Sequence, residues 1–260
     1  MNQKSKLFSK LCLLAGIVVL SSCQEEDVPL AEAQPQNLDA KMVELITKDG
    51  YETKDIYVKD GFYRVKGVDI VYDKDMAKNI SEAESIEEQR WHGVQTYYSY
   101  TRDVRIYKDP SFPDYLYGGP LYYAARHWSN ISPNINITIT SSRSNADIVV
   151  SGYYDSGEYG WAVASLPTGN GNVGPWMWIN TYQPHNQSYG DKVALMVHEL
   201  GHTLGYRHTD QGGGYHIPGT PSSDRYSVMN SGVPNGLWQY NSAGWSYGDR
   251  AAINWAYGLY

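Results

Sequence analysis

The spacing of hydrophobic positions changes several times along the chain, and each change marks an element. Residues 11–20 form one apolar run, too short to span a bilayer as a helix. Between residues 41 and 80 the pattern turns to short alternating segments, Asp55-Ile56-Tyr57-Val58 and Phe62-Tyr63-Arg64-Val65, closed by Val68-Asp69-Ile70-Val71. These predict a small β-rich element. Residues 81–89 are acid-rich and read as a solvated helix or a linker. Beyond Thr101 the order is clear. A strand at 103–107 precedes a helix at 120–129, where Leu121, Ala124, Ala125 and Trp128 share one face. Strands follow at 134–140, with Ile135, Ile137 and Ile139 in alternation, and at 146–151, 160–165 and 176–181. A helix starting near Asp191 and a last helix at 249–257, with Gly248-Asp249 as its start signal, complete the pattern. The prediction is an α+β fold built on a mixed, twisted sheet of about five strands.

The amino terminus changes this picture only by subtraction. Lys4, Lys6 and Lys10 precede the apolar run, as in an export signal. The run ends in Leu20-Ser21-Ser22-Cys23, which resembles the lipobox of bacterial lipoproteins. That resemblance implies removal of residues 1–22 and a lipid anchor on Cys23, with membrane attachment through it. Gln24-Glu25-Glu26-Asp27 resembles the tag of lipoproteins carried to the outer surface, so the expected location is the outer membrane, lipid-anchored. Cys12 would be lost with the signal, which leaves no pair for a disulfide. Residues 23–40, with Pro29 and Pro35, suit a linker. Residues 23–90 carry 17 acids and 9 bases, whereas residues 91–260 carry 11 and 9, so a boundary near residue 90 is expected. It separates a small element, 41–90, from a larger domain, 91–260. No basic stripe appears, which argues against nucleic acid as a partner. The chain is expected to be a monomer.

Candidate chemistry is concentrated in HELGHTLGYRH, from His198 to His208. His198 and His202 are four apart and share one helix face, so both can bind one metal ion. Gly205 stands where a helix can end in a left-handed residue, and the turn it allows would return His208 as a third ligand. Glu199, beside the first ligand, is placed to take a proton from a metal-activated water. Chance placement of these five residue types is on the order of one in 10⁵ for a chain of this length. The ion implied is one catalytic zinc.

The order of elements, together with this long motif, resembles the metzincin metallopeptidases. In that group a methionine lies in a tight turn beneath the zinc, and Met229 in Tyr226-Ser227-Val228-Met229-Asn230 matches it. More narrowly, the chain is similar to the bacterial dual-action HEIGH metallopeptidase family. The matching stretches are KDGYETKDIYVKDGFYRVKGVDIVYDKD, GWAVASLP, HELGHTLGYRHTD, IPGTPSSDRYSVMN and DRAAINWAYG. Leu200 replaces the isoleucine of the family name, and Val68 is inserted between Gly67 and Asp69. The resemblance implies His198, His202 and His208 as zinc ligands, Glu199 as general base, and peptides or proteins as substrates. It also makes the 160–165 strand either an edge rail for substrate or a core strand. Asp69 resembles the aspartate that blocks zinc in astacin prosegments, or is a turn residue. The 41–90 element would then be a prosegment.

Other expected parts are absent. The tyrosine that astacins and serralysins place two residues after the methionine is Ser231 here, and no oxyanion-stabilising residue is visible. Asp210 and Asp224 lie where they could bond the turn or cap loops. His92, His127, His185 and His216 show no ligand spacing. Two rival functions stand beside an endopeptidase: a surface binding protein on an inactive protease scaffold, and a zinc hydrolase of a glycan or peptidoglycan amide. The intact Glu199 argues against the first, and the 24 Tyr and 8 Trp suit the sugar stacking of the second.

Overall fold

The computed structural model describes residues 38–76, 89–91, 96, 98–158, 160–211, 214–232, 238 and 242–260. The expected signal segment, Cys23, most of the linker and His92 lie outside them. Helix α1 (Ala40–Lys48) comes first, where alternating β-type segments were expected. Met42 and Ile46, four apart, bury one face, and Asp39 accepts from the Lys41 and Met42 N–H groups as the cap. Then β1 (Ile56–Lys59), β2 (Phe62–Val65) and β3 (Ile70–Asp73) form an antiparallel meander. Asp60 and Gly61, with φ of 53° and 83°, make its first turn, which needs two left-handed residues.

Strand β4 (Gln89–Trp91) pairs with β10 (Tyr215–His216) in a separate two-stranded sheet. After α2 (Tyr98–Thr101) come β5 (Val104–Lys108), α3 (Asp114–Ile131), β6 (Ile137–Thr140), β7 (Ile148–Tyr153), β8 (Ala162–Ser165) and β9 (Trp176–Asn180). Helices α4 (Tyr189–Thr203) and α5 (Tyr247–Tyr257) complete the order. The main sheet has eight strands in the order β1-β2-β3-β8-β9-β7-β5-β6. This corrects the expected five. The five strands read from 103–181 are all present, but β3 hydrogen-bonds in parallel to β8 and adds the meander to their sheet. Strand β8 is antiparallel to β9, so the 160–165 segment lies inside the sheet and β3 covers its outer edge.

Among the described residues, two apolar cores share this sheet. The larger packs α3 and α4 against β5 to β9, with Trp128, Leu121, Met177 and Val197 among its members. The smaller joins Met42 and Ile46 of α1 to Tyr63, Ile70 and Tyr72 of the meander, and reaches Leu166. Helix α3 begins six residues before the expected start at Pro120, which lies inside it. Gly118-Gly119-Pro120 reads as a breaker, yet Gly119 is needed for contact: a Cβ there would lie 2.3 Å from the Tyr189 hydroxyl. Packing against α4 outweighs the hydrogen bond that the proline removes. Among the described residues no helix is long and apolar enough to cross a membrane.

Candidate metal centre

Helix α4 carries His198, Glu199 and His202 in its last two turns. Ser188 and Asp191 start it with a reciprocal capping box. It ends at Gly205, whose φ of 105° lets the chain reverse, with the Gly205 N–H on the His202 carbonyl and the Tyr206 N–H on that of Gly201. The reversal brings His208 back beside the helix. The three imidazoles are at most 2% exposed, and their Nε2 atoms converge: His198 is 2.9 Å from His202 and 3.2 Å from His208.

What each ring does with its other nitrogen decides the chemistry. Nδ1 of His198 donates to the Val228 carbonyl at 2.6 Å, and Nδ1 of His202 to the Tyr206 carbonyl at 2.7 Å. Nδ1 of His208 donates to Oε1 of Gln211 at 2.8 Å. A carbonyl only accepts, so these bonds fix the proton on Nδ1 and turn the lone pairs of Nε2 towards one point. Three lone pairs this close repel unless a cation lies among them. Asp69, from the turn before β3, adds a carboxylate: its Oδ1 is 2.8 Å from Nε2 of His208 and its Oδ2 is 3.3 Å from Nε2 of His198. Oδ1 is buried yet makes no hydrogen bond of good geometry, so it is placed as a ligand atom more than as an acceptor. One atom from each of the four residues lies within 4.8 Å of the others. This is the one such group of metal-binding side chains among the described residues. An N₃O set of this kind fits a four-coordinate ion.

Without an ion the charges must balance by protons. Burial, and then His198, depress the His202 pKa to about 4. Burial also opposes a charge on His208, but the Asp69 carboxylate outweighs it and raises that pKa. Burial opposes ionisation of Asp69 in turn, and His208 with the other two rings overcomes it, holding the carboxyl well below its usual range. A metal therefore competes with a proton for His208. Glu199 is fully buried, with neither carboxylate oxygen hydrogen-bonded among the described residues. Burial, then the charge of Asp69, push its pKa well above the ordinary value. It lines a cleft of about 740 Å³ with His208, Asp69, Trp161 and Glu158.

Beneath the rings lies the Met229 turn. A Cβ on Gly201 would fall 2.4 Å from the Met229 sulfur, so the helix glycine between the two histidines is what admits the thioether. Asp210 accepts from both the N–H and the hydroxyl of Ser231 at 2.9 and 2.7 Å, so Ser231 ties the turn to the His208 segment. Asp224 accepts from the Ser246 hydroxyl and the Gly248 N–H, joining the turn to α5. Neither His127, His185 nor His216 enters the metal-binding group. His127 packs edge-on to Trp238, and His185 Nδ1 meets the Tyr117 hydroxyl at 2.9 Å.

Several residues of the site carry no local sequence signal. Gln211 orients His208, while Trp128 of α3 donates to the Val197 carbonyl of α4 at 3.0 Å. Arg207, next to His208, is buried and paired with Asp49 at 3.0 Å, 158 residues away. Asp249 of α5 accepts from the Ser227 hydroxyl and the Val228 N–H at 2.6 and 3.1 Å. The sequence marks that last residue as a helix start, in Gly248-Asp249 and the Ser246-x-x-Asp249 capping box, but not its contact with the turn.

No family model and no curated protein sequence matches the chain. Two solved structures of myroilysin are similar to it in fold at low level. One is 18% identical with a TM-score of 0.43, over 60% of this chain and 93% of that one. The other is 18% identical with a TM-score of 0.40, over 59% and 82%. The reading of the site rests on its own geometry.

Proposed function

We propose that the protein is a zinc-dependent endopeptidase in a latent form. His198, His202 and His208 are the zinc ligands, and Glu199 is the general base. The observation that carries this reading is the convergence of three Nε2 lone pairs beside a buried, unpartnered Glu199 carboxylate on the wall of a cleft. Three imidazoles with a carboxylate would suit zinc above the harder magnesium or calcium. A bound zinc ion would supply Lewis acidity, polarising the scissile carbonyl and acidifying the attacking water. Glu199 accepts the proton of that water and delivers it to the leaving amine; burial, and then the Asp69 charge, favour its protonated form.

Latency follows from Asp69 and β3. Asp69 occupies the place of a fourth ligand, and β3 covers the edge of β8 on which an extended peptide would pair. A shortened chain beginning near Arg90 is expected to cut peptides faster than the chain that keeps β1 to β3, and equal rates would remove the latency reading. We further propose export and lipid attachment at Cys23, with peptides or proteins as substrates; Cys23→Ala should leave the membrane fraction, and its retention there would refute the anchor.

The purified protein should carry about one zinc, lost on His202→Ala. Glu199→Gln should keep the metal while turnover falls by roughly 10² or more, because the amide cannot accept a proton. New peptide termini in a mixed library, read by mass spectrometry, report this difference. Zinc binding with no cuts beyond those of Glu199→Gln would favour the binding-protein or glycan-amide readings.

A further inference from the structure

The cleft lined by Glu199 is also lined by Glu158, on the loop between β7 and β8. Two basic residues of the meander are inserted there. Nη1 of Arg64 donates to both carboxylate oxygens of Glu158, at 2.8 and 3.1 Å, and its guanidinium carbon lies 5.7 Å from the centre of the Tyr153 ring. Lys59 pairs with Asp155 and reaches Glu158 at 3.3 Å. The Tyr153 and Tyr57 hydroxyls also donate to Glu158, at 2.7 and 3.2 Å. The Arg64 side chain is only 5% exposed, and its Nε has no hydrogen-bond partner among the described residues. A cation is thus buried deeply while one of its donors goes unused.

The receiving loop does not depend on that cation for its shape. Asn180 at the end of β9 donates to the Asp155 and Glu158 carbonyls at 2.9 and 3.3 Å, and accepts from the Asp155 N–H at 3.1 Å. Gln183 donates to the Glu158 carbonyl at 2.5 Å. One part of the molecule therefore builds the two carboxylates and the Tyr153 face, and another part fills them.

We propose that Tyr153, Asp155 and Glu158 form a specificity subsite for an arginine or lysine side chain of the substrate, which Arg64 and Lys59 occupy in the latent form. The proposal rests on the peptidase reading and adds to it a substrate class, peptides with a basic residue near the cleaved bond. Two carboxylates suit the positive charge of either side chain, and the aromatic face adds a contact that a cation strengthens, most of all a planar guanidinium. When the meander withdraws, Asn180 and Gln183 keep the acids in place. The pocket then opens onto the same cleft as Glu199.

The test uses the full chain with Arg64→Met, which takes the guanidinium away from Glu158, leaves Lys59 on Asp155, and keeps an apolar stem against the sheet. N-acetylarginine amide should raise its melting temperature saturably, whereas N-acetylnorleucine amide should not. Adding Glu158→Gln should abolish the difference. In a mixed peptide library, cuts by the Arg64→Met chain should be enriched in arginine at one fixed position. Glu158→Gln should reduce that enrichment roughly ten- to hundredfold, the span expected for losing a charge-assisted hydrogen bond. Should Arg64→Met fail to fold, the cleavage profiles of wild type and Glu158→Gln decide in the same way. Equal response to the two amides, or a profile indifferent to Glu158, overturns the subsite. Cleavage without basic preference leaves the peptidase standing and removes the subsite; saturable arginine-amide binding with no cleavage by any variant does the reverse.

Discussion

His198 is held in orientation by one backbone oxygen, that of Val228, and the turn bearing this oxygen is fixed by Asp249 through the Ser227 hydroxyl and the Val228 N–H. Asp249 touches no candidate ligand, so it acts by positioning. Its removal should leave all three histidines in the chain but free the ring of His198 to turn. Asp249→Ala is expected to weaken zinc affinity by roughly 10- to 100-fold, the usual effect of losing an outer partner of a ligand. Competition against a chromophoric chelator measures it, and an unchanged affinity would show that the turn holds itself. At this scale the sequence was most legible where chemistry is encoded by spacing. His198 and His202 at four residues, Gly205, and His208 announce themselves because one helix and one turn bring them together. Asp249 and Gln211 were not legible, since a carboxylate or an amide acquires its role from a partner that only the fold supplies.

At the scale of elements, the meander is fastened to the rest by charge as well as by the pairing of β3 with β8. Glu158 receives Arg64, Lys59 and two tyrosine hydroxyls. Burial opposes its ionisation, but the hydrogen bond from Tyr153 and the charges of Arg64 and Lys59 outweigh that and lower its pKa. The same burial, with the neighbouring Glu158 charge, pushes the Tyr57 hydroxyl up to about 12, so it stays a donor at neutral pH. A carboxyl whose folded value lies below its unfolded one stabilises the fold fully above the unfolded value and loses that contribution as pH falls through the folded value. The fastening should therefore be intact at neutral pH and fail below about pH 4.5. Urea unfolding at pH 7 and at steps down to pH 3 should show wild type losing more stability with acid than Glu158→Gln. Parallel curves would place the fastening elsewhere, with Asp49–Arg207, Lys59–Asp155 and Asp69–His208 among the other charged ties. The element pattern was readable for strands that alternate, such as β5 and β6. It misled at α1, where only Met42 and Ile46 mark the buried face, and at α3, where a Gly-Gly-Pro string is needed for packing.

The whole molecule is a five-stranded sheet extended by three strands from an earlier part of the chain. The five could be read because each strand neighbours others close in sequence. The joint between β3 and β8 could not, because it pairs Ile70 with Ala164 and nothing local to either strand names its partner. That joint has a kinetic consequence. The three imidazoles are at most 2% exposed, and Asp69 with β3 closes the remaining side. With Asp69 and β3 in place, loss of the ion from the full chain is expected to follow the rate at which this side moves. The rate constant of zinc release should then reach a plateau as chelator concentration rises. In a chain shortened to begin near Arg90, it should climb in proportion to the chelator, since attack meets an open site. Proportional behaviour in both chains would mean that the closed side is no barrier to exchange.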